Sequence, residues 1–121
     1  MSVTVPDRLV VVSRFDAPDE SVLELLRASL GALAARPGFL RGRAGRAVDE
    51  PTVWVLTTEW ADVGAYRRSL SSYDVKVATA ALFASARPEP SAFEVRLAAD
   101  EPQPVVPGPS SRAARDPEGA R

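Results

Sequence analysis

The fold class predicted by this chain is α+β: one four-stranded antiparallel sheet with helices on a single face. Three observations carry that reading. Elements read from the apolar periodicity run β-α-β-β-α-β, a split βαβ plan. Arg8 to Phe15 and Thr52 to Trp60 are apolar on both faces, as central strands must be. The remaining strands are charged or alternating, as suits edges.

Residues 1–7 are a short lead-in. In the first strand Leu9, Val11 and Phe15 fall on one side, with Val10 and Val12 on the other. Asp16 is placed to cap the next helix, with Pro18 in its first turn and Asp19 and Glu20 favoured by the helix dipole. Val22, Leu23, Leu26, Leu30 and Leu33 then form one apolar stripe at helical spacing. Arg36-Pro37-Gly38 stops it, because proline cannot continue a helix and glycine accepts the left-handed turn. Phe39 to Val48 is a second strand rich in glycine and arginine, and Asp49-Glu50-Pro51 turns the chain. After the strand ending at Trp60, Asp62 caps a short helix with Val63, Tyr66 and Leu70 inward.

Ser71-Ser72-Tyr73 interrupts that helix. Asp74 to Ala86 is an alanine-rich helix with Val75, Ala78, Leu82 and Ala86 aligned. Beyond Arg87-Pro88-Glu89-Pro90, Ser91 to Leu97 alternates Phe93, Val95 and Leu97 with Glu94 and Arg96 as a last strand. The apolar period ends at Ala98, prolines recur, and residues 98–121 read as a disordered tail. The folded unit is therefore residues 8–97, and its plan is ferredoxin-like. Its uncovered sheet face still carries Val, or Trp and Leu, side chains, so a homodimer packed sheet to sheet is expected.

With 121 residues there is room for one domain. The chain has no cysteine and no histidine. Disulfides, thiolate chemistry, histidine acid–base catalysis and Cys/His zinc or haem ligation are excluded. Carboxylates remain but form no dense cluster, so no metal and no cofactor are expected. A net charge of -1 argues against a nucleic-acid partner. The arginines between Arg41 and Arg46 read as a solvated strand edge, and Gly42 and Gly45 lack the spacing of a phosphate loop. No segment reaches the ~18 apolar residues that span a bilayer. The Leu9–Val12 run is too short for a signal peptide, so a cytoplasmic location without membrane contact is expected.

Pro37-Gly38-Phe39-Leu40 opens the second strand, Trp60 closes the third, and Asp62 with Ala65-Tyr66 opens the second helix. On these residues, between Arg8 and Leu97, the chain resembles the antibiotic biosynthesis monooxygenase family of dimeric α+β barrels. That family includes cofactor-independent monooxygenases of phenolic or anthrone-type polyketides, quinol monooxygenases and haem-degrading enzymes. The haem-degrading branch pairs an Asn, a Trp and a haem-ligating His. Here Trp60 matches, Ser13 stands at the strand-one position beside Arg14, and Ala78-Thr79-Ala80 offer no histidine. That arrangement is not implied. In the polyketide-oxidising branch Trp60 and Tyr66 match, no asparagine exists in the chain, and Arg14 substitutes by location for the family's arginine.

Oxygenation without a cofactor needs a substrate whose own anion reduces oxygen, held dry with its oxyanion stabilised. Trp60 would wall such a pocket and offer its indole N–H, or simply pack the core. Tyr66, ordinarily near pKa ~10, suits a hydrogen-bond donor better than a base. Arg14 on a central strand needs a counter-charge, either a bound anion or Glu59. Ser13, Trp54, Tyr73 and Phe83 complete the substrate-lining set, Trp54 with packing as its alternative. Two functions stay open: a monooxygenase for an aromatic polyketide-type phenol, anthrone or quinol, and a non-catalytic small-molecule-binding or accessory dimer.

Overall fold

The computed structural model describes residue 3 and residues 7–100. The chain runs β1 (Leu9–Asp16), α1 (Val22–Ala34), β2 (Phe39–Arg46), β3 (Val53–Trp60), α2 (Val63–Leu70), α3 (Tyr73–Phe83) and β4 (Ala92–Glu94). The strands form one sheet in the order β2-β3-β1-β4, every neighbouring pair antiparallel. The two strands with apolar side chains on both faces are the central ones, and the expected ferredoxin-like plan is the one observed. The expected tail, residues 98–121, lies outside the described residues beyond Asp100, as does most of the lead-in.

Strand alternation sorts the side chains. Leu9, Val11 and Phe15 of β1 and Trp54, Leu56 and Trp60 of β3 are buried under the helices. Val22, Leu26, Ser29 and Leu33 of α1 and Val75, Thr79 and Leu82 of α3 cover them. Leu23, expected in the α1 stripe, is instead 37% exposed, one position off the covered line. In α2 the fully buried pair is Ala65 and Ser69, flanked by half-buried Val63, Tyr66 and Leu70. The opposite sheet face carries Val10, Val12, Val53 and Val55, with Phe93 of β4 beside Val10, and no element of the described chain lies over it.

Several element ends differ from expectation. Asp16 does not cap α1. It is the last residue of β1, paired in register with Val53, and its carboxylate accepts hydrogen bonds from Arg87 at 2.7 and 3.2 Å. The helix starts later, at Val22, after a turn in which the Asp19 carboxylate accepts the Ser21 N–H at 2.9 Å. Tyr73 is the first residue of α3 rather than part of the break. The last strand shrinks to three residues, extended at its ends by Val12 N–H to Ser91 O (2.7 Å) and Val95 N–H to Arg8 O (2.9 Å).

Two local features set the geometry near Trp60. Gly38 has φ of 88°, and a Cβ there would collide with the Ala65 side chain, so the α1–β2 turn lies directly against α2. A bulge between Phe39 and Arg41 then changes the parity of β2. Phe39 faces the helices opposite Trp60, whereas Arg41 faces the other way opposite Glu59.

Candidate functional site

The helix-facing floor of the sheet can be built row by row from the register. The first row is Phe39, Trp60 and Leu9; the second Gly42, Thr58 and Val11; the third Ala44, Leu56 and Ser13; the fourth Arg46, Trp54 and Phe15. Aromatic rings therefore stand at both ends of β3. Between them lie small or short polar groups from Gly42, Ala44, Thr58 and Ser13. Leu30 of α1 sits directly above Gly42, where any side chain would clash.

At one end Trp60 is fully buried. The Phe39 ring meets it edge-on, centroids 5.3 Å apart, and the Tyr66 ring tilts against it at 5.7 Å. Its indole Nε1 donates to Thr58 Oγ1 at 2.9 Å, so that N–H is satisfied within the strand and not offered to a ligand. Tyr66 is aimed here by the start of α2. The Asp62 carboxylate accepts the Ala65 N–H at 2.7 Å, and Ala61 N–H donates to Gly38 O at 2.8 Å. Half-buried, the Tyr66 hydroxyl has no hydrogen-bond partner among the described residues. Burial pushes its phenol above the ordinary 10.0, which keeps it a proton donor through the neutral range.

At the other end Trp54 is 4% exposed. Its Nε1–H is buried with no acceptor among the described residues. The Arg46 guanidinium lies over the ring, 5.1 Å from its centroid, and is itself held by Glu20 at 3.4 Å. Phe83 stacks on Phe15 with centroids 6.3 Å apart and planes within 4°. Ser13 faces the helices opposite Leu56 and stays half-exposed, although Val11 and Phe15 on either side of it are buried.

Of the residues expected at a site, the structure brings Trp60 to Tyr66, and sets Ser13, Trp54 and Phe83 around the far end of the same floor. Arg14 and Tyr73 are placed elsewhere. Arg14 points to the uncovered face, half exposed, and its Nε donates to Glu89 at 2.8 Å. The expected pairing with Glu59 does not form, because Arg14 stands opposite Val55, four residues away along β3. Glu59 is taken by Arg8 at 3.2 Å and Arg41 at 3.1 Å. Tyr73 is 78% exposed at the start of α3.

Sequence reasoning passed over Thr58, Phe39 and Arg46 as site residues. Thr58 was findable, since residues two apart on a strand share a face. Phe39 and Arg46 were not, because their facing depends on the bulge in β2. Among the described residues no group of three or more carboxylates is placed to hold a metal ion, and no helix is long and apolar enough to cross a membrane.

The sequence profile of a known family, antibiotic biosynthesis monooxygenase, matches residues 8–81. No curated protein matches the chain. Among solved structures it is similar to SnoaB, described as a cofactor-independent oxygenase from Streptomyces nogalater. Identity is 25% over 81% of this chain and 98% of that one, with a TM-score of 0.64, and a SnoaB variant gives 0.65. A candidate antibiotic biosynthesis monooxygenase from Deinococcus radiodurans shares the fold at 20% identity, covering 77% of this chain and 97% of its own, TM-score 0.64. A conserved protein from Methanosarcina mazei shares it at 17% identity over 74% and 91%, TM-score 0.58. With its matched span taking in all four rows of the floor and both tryptophans, the chain belongs to the antibiotic biosynthesis monooxygenase family.

Proposed function

We propose that this chain is a cofactor-independent monooxygenase acting on an aromatic, polyketide-type phenol, anthrone or quinol. The observation that carries the reading is the Tyr66 hydroxyl: without a hydrogen-bond partner among the described residues, protonated at neutral pH with burial raising its pKa further, and set beside the buried Trp60 ring that Phe39 meets edge-on. Family membership and the likeness to SnoaB, named as a cofactor-independent oxygenase, support it.

In this reading the substrate supplies every electron. An anthrone loses its proton to solvent, and the resulting enolate passes one electron to oxygen. The radical pair joins at carbon to give a peroxide anion, which takes a proton back from solvent. Loss of the remaining C–H proton with cleavage of the O–O bond then expels water as the new carbonyl forms. One oxygen atom stays in the quinone and the other leaves as water. Tyr66 donates a hydrogen bond to the developing oxyanion, which lowers the cost of making the anion in a dry site. Trp60 and Phe39 shape the wall and exclude water. Arg14, on the far side of the sheet, takes no step; its charge serves Glu89. A second copy of the chain covers the valine face, making the homodimer that the uncovered sheet favours.

Oxygen uptake by purified, metal-stripped protein supplied with dithranol (a dihydroxyanthrone) and simple hydroquinones tests this. Turnover well above the uncatalysed rate is expected. Tyr66→Phe should lower it by roughly a hundredfold, the usual loss for one oxyanion donor. Saturable dithranol binding without oxygen uptake would instead make the chain a binding or accessory protein.

A further inference from the structure

Three small residues, Gly38, Ala61 and Ala65, meet where the three rings of the Trp60 end are set. Phe39, Trp60 and Tyr66 come from three different elements, β2, β3 and α2. Each lies one position in sequence from that meeting point: Gly38 precedes Phe39, Ala61 follows Trp60, and Ala65 precedes Tyr66. Ala61 N–H donates to Gly38 O at 2.8 Å, and a Cβ at position 38 would lie only 2.4 Å from the Ala65 Cβ. The two chains therefore approach more closely here than any side chain at position 38 would permit. We infer that Gly38 is a positioning residue: by leaving room for Ala65 it sets how deep α2 lies, and so how far the Tyr66 hydroxyl reaches into the space beside Trp60.

Little else fixes the depth of α2. Its fully buried side chains are Ala65 and Ser69, and the Ser69 hydroxyl donates at 2.6 Å to Tyr66 O in its own helix. The Asp62 carboxylate accepts the Ala65 N–H at 2.7 Å, which starts the helix but ties it to no other element. Ser71, at the far end, likewise bonds to carbonyls of α2 itself. Half-buried Val63, Tyr66 and Leu70 supply apolar packing, which is non-directional. Gly38 is held firmly from its own side. It has φ of 88°, Phe39 N–H closes the turn on Arg36 O at 3.2 Å, and Arg36 N–H bonds Leu33 O of α1 at 3.0 Å. A larger residue at the contact therefore pushes α2 outward rather than the turn back. Relieving a 2.4 Å approach to an ordinary ~3.5 Å carbon contact takes about 1 Å of movement. A misplacement of that size costs up to ~100-fold in rate. What Tyr66 does rests on the proposed function; where it stands rests on the fold alone.

A swap across the contact tests this. Gly38→Ala creates the clash; adding Ala65→Gly removes the Cβ it meets and leaves the backbone Cα at 3.7 Å, an ordinary contact. Both proteins carry the same backbone strain at position 38, so comparing them isolates the depth of α2. Rate is read as oxygen uptake with dithranol. Position is read by ¹⁹F NMR of protein carrying 3-fluorotyrosine, whose two signals are assigned with Tyr66→Phe and Tyr73→Phe. Gly38→Ala should move the Tyr66 signal toward that of exposed Tyr73, and lower kcat between about ten- and a hundredfold with KM little changed. The swap should return both to near wild type. In a Tyr66→Phe background Gly38→Ala should change kcat by less than about twofold, since the hydroxyl it misplaces is gone. If Gly38→Ala does not fold, Ala65→Val crowds the same contact from α2 and is compared with wild type by the same signal and rate. A swap as impaired as the single variant would assign the loss to strain in the turn and overturn the inference. A folded Gly38→Ala whose Tyr66 signal and rate match wild type would overturn it too. If no protein consumes oxygen but the signal moves and returns as expected, the positioning holds and the proposed function falls.

Discussion

Thr58 and Trp60 show how much one hydroxyl decides. The side chains share a face because they are two apart on a strand, and the threonine oxygen accepts the indole N–H in a site without water-facing alternatives. Replacing Thr58 by valine keeps the shape and the strand preference but removes the acceptor. The buried N–H is then unmatched, at a cost of about 1–3 kcal/mol. Thermal unfolding of Thr58→Val should therefore show a melting temperature lower by several degrees. An unchanged melting curve would mean the bond contributes nothing. At this scale, side-chain facing on β1 and β3 was legible in the sequence, because both strands alternate without interruption. Partnership was not. Arg14 has a counter-ion, as a charge on a central strand requires, but Glu89 reaches it from a loop 75 positions away that no local pattern connects to it.

Among the elements, the segment after α3 is fastened to β1 by charge as well as by backbone. Arg87 N–H bonds Arg14 O at 2.9 Å, Ala86 bridges Phe15, and the carboxylates of Asp16 and Glu89 receive Arg87 and Arg14 respectively. The hydrogen bond from Arg87 holds the Asp16 carboxyl below its ordinary 3.8, and that from Arg14 holds Glu89 below 4.5. Folded values below the unfolded ones mean the contribution is whole at neutral pH. It is lost as pH falls through the depressed values. Melting temperatures measured from pH 7 downward should hold level, as far as these groups matter, until about pH 4.5 and then decline. Asp16→Asn should flatten the decline; a wild-type slope in that variant would remove Asp16 from the account. The sequence placed Asp16 at a helix start because Asp-x-Pro is a familiar capping pattern. Strand pairing with Val53 prevailed over that local preference. The short β4 has the same kind of cause: an alternating sequence permits a strand, but only the residues opposite Leu9 to Val11 pair in register, with a single backbone bond beyond each end.

For the molecule as a whole, the sheet separates two chemistries. Beneath the helices lies the floor with its aromatic ends, while no described element covers the valine face, which is edged by the Arg8–Glu59–Arg41 cluster and by Phe93 at 44% exposure. A second copy seated there would bury Val12 and Val55 at its centre. Val55→Glu should yield a monomer by light scattering where the wild type gives a dimer. A wild type of monomer mass at working concentration would set the pairing aside. The strand order was legible from which strands are apolar on both sides. The contents of each face of β2 were not, because the single-residue bulge after Phe39 is invisible to a count of odd and even positions. One added amino acid there exchanges inside for outside along the rest of that strand. The central strands and their core are untouched by it. Relatives that gain or lose a residue at this corner will present different chemistry beneath the same helices, so the edge strand is a place where such domains acquire new preferences without being rebuilt.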